Sequence, residues 1–281
     1  MKTIGTLGPE GTFSDIATKK YINASNNEYG IKYFKSIKST LLSIGKDCDY
    51  GILPIENYSE GFVSLVLDTI ADSKLFITGE IILPIQFSFV SNAGVLDQVT
   101  KIFVQFVAKN QCSEFIESLG NIEIVTTESN ISSLEKARND HQLSAGAIVP
   151  VNSYSTNEFR LIHENVNDYC NNQTRFLKFS SKQQYQEKLD NIAYKTSIVV
   201  FDDQDRPGLL ESILSPFSKR NINLTSITSR PTKKKLGVYN FFIGLEGHLK
   251  DSNVEEALSE IGKDNRLKVF GSYPKADQLR N

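Results

Sequence analysis

MKTIGTLGPEGTFSDIATKKY, residues 1–21, reads as a strand, a glycine turn and a helix in that order. Residues 3–7 form a short β-like run, and Gly8-Pro9-Glu10-Gly11 is a turn. A helical pattern follows from Phe13 to about Tyr21. Thr12 is a good N-cap, and Asp15 stands three residues later, where a capping box places its second member. A second unit of the same kind starts at Tyr50: a strand over 50–53, a loop over 54–60 and a helix with Val63, Val66, Leu67 and Ile70 on one stripe. Strands that alternate with helices predict α/β architecture with parallel pairing.

The pattern continues beyond these two units. Strands are expected over 81–90, 101–104, 122–125 and 145–149, and helices over 112–119 and 132–138. Phe176-Leu177-Lys178-Phe179 alternates as a strand does. Composition then turns polar over 180–195, as in an interdomain linker. The last stretch reads strand 197–201, helix 207–220 with Pro207 in its first turn, strand 222–228, a Lys-rich turn over 233–235, strand 238–245, helix 254–261 and strand 267–270. That order is βαββαβ, the ferredoxin-like arrangement. The division implied is 1–180, a linker over 181–195, and 196–281.

With 31 basic and 33 acidic residues the net charge is -2. No global field directs the chain to nucleic acid or to a membrane, so an anionic ligand would need local positive groups. No apolar run approaches the length of a membrane span. Gly5, Gly8 and Pro9 interrupt the start of the chain before a signal peptide's apolar region could form. Cys48, Cys112 and Cys170 are far apart and odd in number, and His141, His163 and His248 are scattered. Neither set has metal-ligand or disulfide spacing.

Four stretches can carry chemistry. Gly8 to Ala17, GPEGTFSDIA, sets glycines before a helix start, where free N–H groups and the dipole can hold a carboxylate. It lacks the Lys of a P-loop, and a plain strand-to-helix turn has the same composition. Glu56 and Asn57, in PIENYSEGFV (54–63), lie just past a strand end, where α/β proteins place ligands; Asn, Ser and Gly are also ordinary turn formers. In NNQTRF (171–176), Arg175 can grip a carboxylate through two parallel N–H···O bonds and Thr174 offers a neutral hydroxyl. In 208–231, Gly208 at a helix start and Asn223-Leu224-Thr225 on the next strand could line a small pocket or simply pack.

Taken in order, these stretches resemble the prephenate dehydratase family with a C-terminal ACT domain. Gly8 to Ala17 fits GPxGTFSxxA throughout. Pro54, Ile55, Glu56, Asn57, Gly61 and Val63 fit PIENSxxGxV, and Asn172, Thr174, Arg175 and Phe176 fit NxTRF. Gly208-Leu209-Leu210 through Ile222-Asn223-Leu224-Thr225 to Ser229-Arg230-Pro231 is similar to the ACT portion. The chain departs at Tyr58, where the family has Ser. It also departs over 104–112, where only Ala108 and Gln111-Cys112 of SHPQALxQC remain, over 129–134, and at Thr228, where the family has Glu.

The resemblance implies a two-lobed catalytic domain similar to type 2 periplasmic binding proteins, followed by a ferredoxin-like ACT domain. It implies that prephenate loses carbon dioxide and its ring hydroxyl to give phenylpyruvate, with no metal or organic cofactor. Thr174 would assist the leaving hydroxyl, Arg175 would clamp a carboxylate, and Glu56 and Asn57 would complete the catalytic set. Gly11, Thr12, Ser14, Ser59 and Phe176 would bind substrate. Gly208, Leu209, Leu210, Asn223 and Leu224 would bind phenylalanine as effector at a dimer interface. The implied protein is a cytoplasmic homodimer or homotetramer with no nucleic-acid or membrane partner. Arogenate dehydratase and prephenate decarboxylase are related alternatives, the latter lacking TRF. A non-catalytic sensor of aromatic metabolites is the alternative of another class.

Overall fold

A computed structural model describes residues 1–25, 27–183, 188–202, 206–233 and 237–276. The chain opens as the sequence predicts, with β1 (Lys2–Leu7) and α1 (Phe13–Ala24). Next come β2 (Tyr29–Phe34) and α2 (Ile37–Ser43), which the sequence pattern does not signal, then β3 (Tyr50–Asn57), β4 (Gly61–Phe62), α3 (Ser64–Ala71) and β5 (Phe76–Pro84). With β11 (Gln173–Ser180), these strands form a sheet ordered β2-β1-β3-β11-β5, β4 pairing with β3. Pairing is parallel only among β1, β2 and β3; β11 runs antiparallel to both β3 and β5. The expectation of parallel pairing holds for β1, β2 and β3 and fails at β11, which comes back from the second lobe.

The second lobe holds β6 (Phe87–Ser91), β7 (Lys101–Gln105), α4 (Phe106–Gln111), α5 (Ser113–Ser118), β8 (Glu123–Thr127), α6 (Asn130–Arg138), β9 (Ala145–Pro150) and β10 (Leu161–His163). Its sheet order is β10-β6-β9-β7-β8. The single strand expected over 81–90 is two strands in two sheets. Pro84 has no N–H to continue the ladder. The Ile85 amide instead donates to the Asn172 carbonyl at 2.8 Å, and the Phe87 amide to Asn167 Oδ1 at 2.7 Å. The outgoing and returning chains therefore hold each other where they pass between lobes.

The strand expected over 50–53 runs on to Asn57, so residues 54–57 are strand and not loop. Phe176 pairs with Pro54 and Arg175 with Glu56, which leaves Ile55 as an extra residue in β3. Such a bulge bends the strand and re-aims the side chains beside it.

The third unit is β12 (Tyr194–Phe201), α7 (Leu209–Lys219), β13 (Leu224–Pro231), β14 (Tyr239–Glu246), α8 (Ser252–Asp264) and β15 (Arg266–Pro274). Its order β13-β14-β12-β15 is the ferredoxin-like sheet read from the sequence. Pro207 lies in the turn before α7, because Gly208 takes a left-handed conformation (φ +80°) and the helix begins after it. β12 starts earlier than expected, so Tyr194 and Lys195 of the expected linker are strand, paired to β14 and β15. Residues 184–187 of that linker, and Lys234 and Lys235 of the expected turn, lie outside the described residues. Among the described residues no helix is long and apolar enough to cross a membrane.

One apolar core joins the two lobes through Leu83, Ile85, Phe87 and Phe176. Another is shared between the first lobe and the third unit: Leu53, Ile55, Leu67, Ile70 and Leu177 pack with Val199, Phe201, Phe242, Phe270 and Tyr273. Polar anchors reinforce this seam. Arg230 grips Asp68 on α3 with two bonds of 2.9 and 3.1 Å. Lys268 donates to the carbonyls of Ile70 (2.9 Å), Ala71 (3.2 Å) and Ser73, where the dipole of α3 favours a cation. Gly271 (φ +146°) lets β15 approach β5 so closely that a Cβ there would stand 2.5 Å from the Ile77 carbonyl oxygen. Gly271→Ala is expected to destabilise by about 2–4 kcal/mol, from backbone strain and overpacking together; urea unfolding measures it.

Lys178 on β11 is 5% exposed. Its ammonium lies 2.7 Å from the Tyr21 hydroxyl and 3.9 Å from the centre of the Tyr50 ring. Burial pushes its pKa down to about 8, with the nearby Lys2 adding to the effect. An unfolded lysine keeps its proton to about 10.4. Between pH 8 and 10 the unfolded chain therefore binds more protons, and stability rises with pH by up to about 1.4 kcal/mol per unit from this group. Lys268, also pushed down to about 8 by burial, acts in the same direction. Burial raises Tyr21 and Tyr29, whose contribution is lost only above about pH 10, and also Cys48 and Cys112, whose contribution is lost from about pH 8.5 and offsets part of the rise. Urea midpoints at pH 7.5 and 9.5 should rise in the wild type and rise distinctly less in Lys178→Met.

Candidate active site

A cavity of about 540 Å³ lies between the lobes. The first lobe contributes Thr12, Phe13, Ser14, Pro54, Asn57 and Thr174, with the loop from Glu60 to Val63. Ile85 and Phe87 line it at the crossing. Gln105, Val107, Gln111 and the run Glu128-Ser129-Asn130 close it from the second lobe.

Thr174 is 8% exposed at the start of β11. Its Oγ1 accepts a 2.8 Å bond from Asn57 Nδ2, which leaves its own proton to donate. Asn57 is fixed at both ends. Its Oδ1 accepts from the Ser59 amide (3.0 Å), the Ser59 hydroxyl (2.8 Å) and the Glu60 amide (3.1 Å). Its Nδ2 also lies 3.0 Å from Asn172 Oδ1, and Asn172 Nδ2 donates to Gln111 Oε1 at 2.9 Å. A line of amides thus runs from the Thr174 hydroxyl to α4 of the other lobe.

A helix start faces the cavity from each lobe. On α1, Thr12 caps the helix by accepting from the Asp15 amide (3.3 Å) and donates to the Leu7 carbonyl (3.1 Å). Asp15 Oδ2 accepts from the Gly11 amide (2.8 Å) and not from the cap residue's own amide. The Thr12 hydroxyl and the Gly11 amide are therefore occupied in shaping the turn. Ser14 and the first-turn amides are left to meet a ligand. Gly11 (φ +83°) is also where the lobes touch, since a Cβ would stand 2.8 Å from Ile131 of α6. On α6, Ser129 caps by accepting from the Ser132 amide at 3.1 Å. The Asn130 Oδ1 is buried without a partner among the described residues. Two helix N-termini on opposite walls suit a ligand with two negative groups.

Arg175 and Glu56 do not join this cavity. Consecutive strand residues face opposite sides, so with Thr174 inward Arg175 points to the seam with the third unit. The bulge at Ile55 brings Glu56 to the same side. Arg175 Nη2 lies 3.1 Å from Glu56 Oε2, and Nη1 lies 3.5 Å from Glu80 Oε2. Ser59 is exposed and turned to Asn57, and Phe176 is in the core joining the lobes. Gln111, Asn172 and the Ser129-Asn130 pair were not singled out from sequence. Asn172 is the first residue of NxTRF and Gln111 the surviving end of SHPQALxQC, so a signal for both was present.

In the third unit, Leu209 and Leu224 pack in its own core, Leu210 is exposed, and Asn223 accepts from the Glu246 amide through its carbonyl. Gly208 precedes α7 and Asn223 follows it. An 11-residue helix separates them by on the order of 16 Å. One chain does not bring these residues together.

The prephenate dehydratase family model matches residues 4–184 and the ACT domain model residues 197–263. The chain belongs to the prephenate dehydratase family. It is 33% identical to the prephenate dehydratase of Methanocaldococcus jannaschii, over 96% of this chain and 97% of the relative. It is 34% identical to a bifunctional chorismate mutase/prephenate dehydratase of Aquifex aeolicus, over 97% of this chain and 74% of that one. Among solved structures, the prephenate dehydratase of Arthrobacter aurescens in complex with L-Phe superposes with a TM-score of 0.83 at 30% identity, covering 98% of this chain and 91% of the other. That of Staphylococcus aureus has the same TM-score and identity, covering 97% and 100%. The dehydratase match ends at residue 184 and the ACT match begins at 197, and the residues lining the cavity, Thr174 among them, all lie within the first.

Proposed function

We propose that this chain is a prephenate dehydratase, a carbon–oxygen lyase that forms phenylpyruvate under phenylalanine control. The observation that carries the reading is the Thr174 hydroxyl, which is held by Asn57 at 2.8 Å and keeps its proton free at the wall of a cavity with two helix starts. Prephenate has two carboxylates and a ring hydroxyl. As the ring C–CO₂⁻ bond breaks, its electron pair enters the ring, and the C–OH bond breaks with its pair on oxygen. The leaving hydroxide takes up a proton as water, and the ring becomes aromatic. The driving force lies in the substrate, so the protein's task is to orient two anionic groups and stabilise charge on the departing oxygen.

Thr174 donates to that oxygen. The starts of α1, through Ser14, and of α6, through Asn130, take the carboxylates. Arg175 and Glu56 act on this site from behind β11, as supports. The residues Gly208, Leu210 and Asn223, too far apart within one chain, form a phenylalanine site between two chains, so a dimer is part of this reading, as is a cytoplasmic location. The test is to incubate the purified protein with prephenate and follow phenylpyruvate by its absorbance in alkali, with and without phenylalanine. Phenylpyruvate that falls as phenylalanine is added supports the reading. Carbon dioxide without phenylpyruvate would make the chain a decarboxylase, faster turnover of arogenate would change the substrate, and no turnover would leave a sensor.

A further inference from the structure

A line of charges, centred on one buried carboxylate, joins the ACT domain to the strand that carries Thr174. Glu80 on β5 is fully buried. Lys195 Nζ, on β12, donates to both its oxygens, at 2.9 and 3.0 Å. On the other side Arg175 stands 3.5 Å from Glu80 and 3.1 Å from Glu56. Arg175 therefore spans three adjacent strands, β3, β11 and β5, one residue from Thr174. The four charges sum to zero, so none can leave without stranding another.

The grip on Glu80 is uneven. A charge-assisted N–H···O bond is typically about 2.7–2.9 Å. Lys195 is close to that distance and Arg175 is well beyond it. Arg175 Nε is also buried and donates to nothing among the described residues. If β12 withdrew Lys195, Glu80 and Arg175 would close on each other and draw β11 towards β5, with Thr174 on it. The Ala276 amide, just after β15, adds a longer bond of 3.3 Å to Glu80. The anchors on α3, Arg230 and Lys233 on Asp68 and Lys268 on the helix end, do not touch β11.

We propose that Lys195 and Glu80 are positioning residues that set the place of Thr174, through Arg175, according to where the ACT domain sits. The proposal rests on the dehydratase reading above. Lys195→Met should lower kcat for prephenate about tenfold or more with KM within about twofold, since the hydroxyl is displaced and binding is not. Its inhibition by saturating phenylalanine should shrink at least about fivefold, while equilibrium dialysis still finds phenylalanine bound. Lys195→Arg should restore both, and Asp68→Asn, which cuts a different anchor, should leave both near wild type. Should Lys195→Met fail to fold, the neutral pair Glu80→Gln with Lys195→Gln takes its place. Wild-type kcat and full inhibition in the Lys195→Met or neutral-pair protein, or an equal loss in Asp68→Asn, overturns the proposal. Failure of the underlying reading looks different: the wild type itself would leave prephenate unchanged. The link is then judged by hydrogen exchange of residues 173–180, which phenylalanine should alter in the wild type and not in Lys195→Met; the same response in both, or none in the wild type, overturns it.

Discussion

Thr174→Ala is expected to lower prephenate turnover by on the order of 10²-fold or more, the scale for losing one preorganised donor at a developing charge. The loss should fall on kcat, because the hydroxyl is needed most when the departing oxygen carries charge, and KM should change little. Thr174→Ser keeps the donor and should retain most of the rate. Alanine also leaves Asn57 Nδ2 without its 2.8 Å acceptor, but that amide keeps Asn172 Oδ1 and the Gln173 carbonyl within reach. The strand should therefore hold, and an unchanged melting temperature would separate lost chemistry from lost structure. Near-normal turnover by Thr174→Ala would remove Thr174 from the mechanism.

Glu80→Leu should have the largest effect on stability. The carboxylate is 0% exposed and is the shared partner of Lys195 and Arg175. Leucine fills the space and leaves two largely buried cations with one carboxylate, Glu56, on the far side of Arg175. Breaking a buried pair in this way costs about 3–5 kcal/mol. For a chain of this size the melting temperature should fall on the order of 10 °C. Adding Lys195→Met to Glu80→Leu removes one stranded cation and should recover part of the loss. A melting temperature within a degree or two of wild type for Glu80→Leu alone would mean that the seam is wet.

Thr174, Asn57 and Ser14 are legible because each stands in a short stretch with a local pattern. The turn before α1 needs Gly11, Thr12 and Asp15 in that order, and β11 announces itself by alternation. The same alternation should have separated Thr174 from Arg175, since neighbours on a strand cannot face one cavity. Glu56 was harder to place: only the extra residue at Ile55 sends it to the Arg175 side, and a bulge depends on the partner strand. β2 was missed because YGIKYF is half exposed along its length and lacks a clean period. α4 was missed because its cap is a glutamine, Gln105, and its first residues Phe106 and Val107 are exposed. The bond between Lys195 and Glu80 joins positions 115 apart, and nothing local in either stretch points to the other.

The shared core bears on how regulation can be lost. Val199, Phe201, Phe242, Phe270 and Tyr273 are buried against the first lobe, and full burial of such a side chain contributes about 1.5–3 kcal/mol. Deleting the ACT domain would bare the other half of that core and leave Glu80 without Lys195. A nonsense mutation in the polar stretch after Ser180 would thus sacrifice the catalyst along with the ACT domain. Under the phenylalanine control proposed above, feedback-resistant descendants should therefore arise by single substitutions that leave the ACT domain in place, and a strain selected for phenylalanine overproduction should carry a full-length gene.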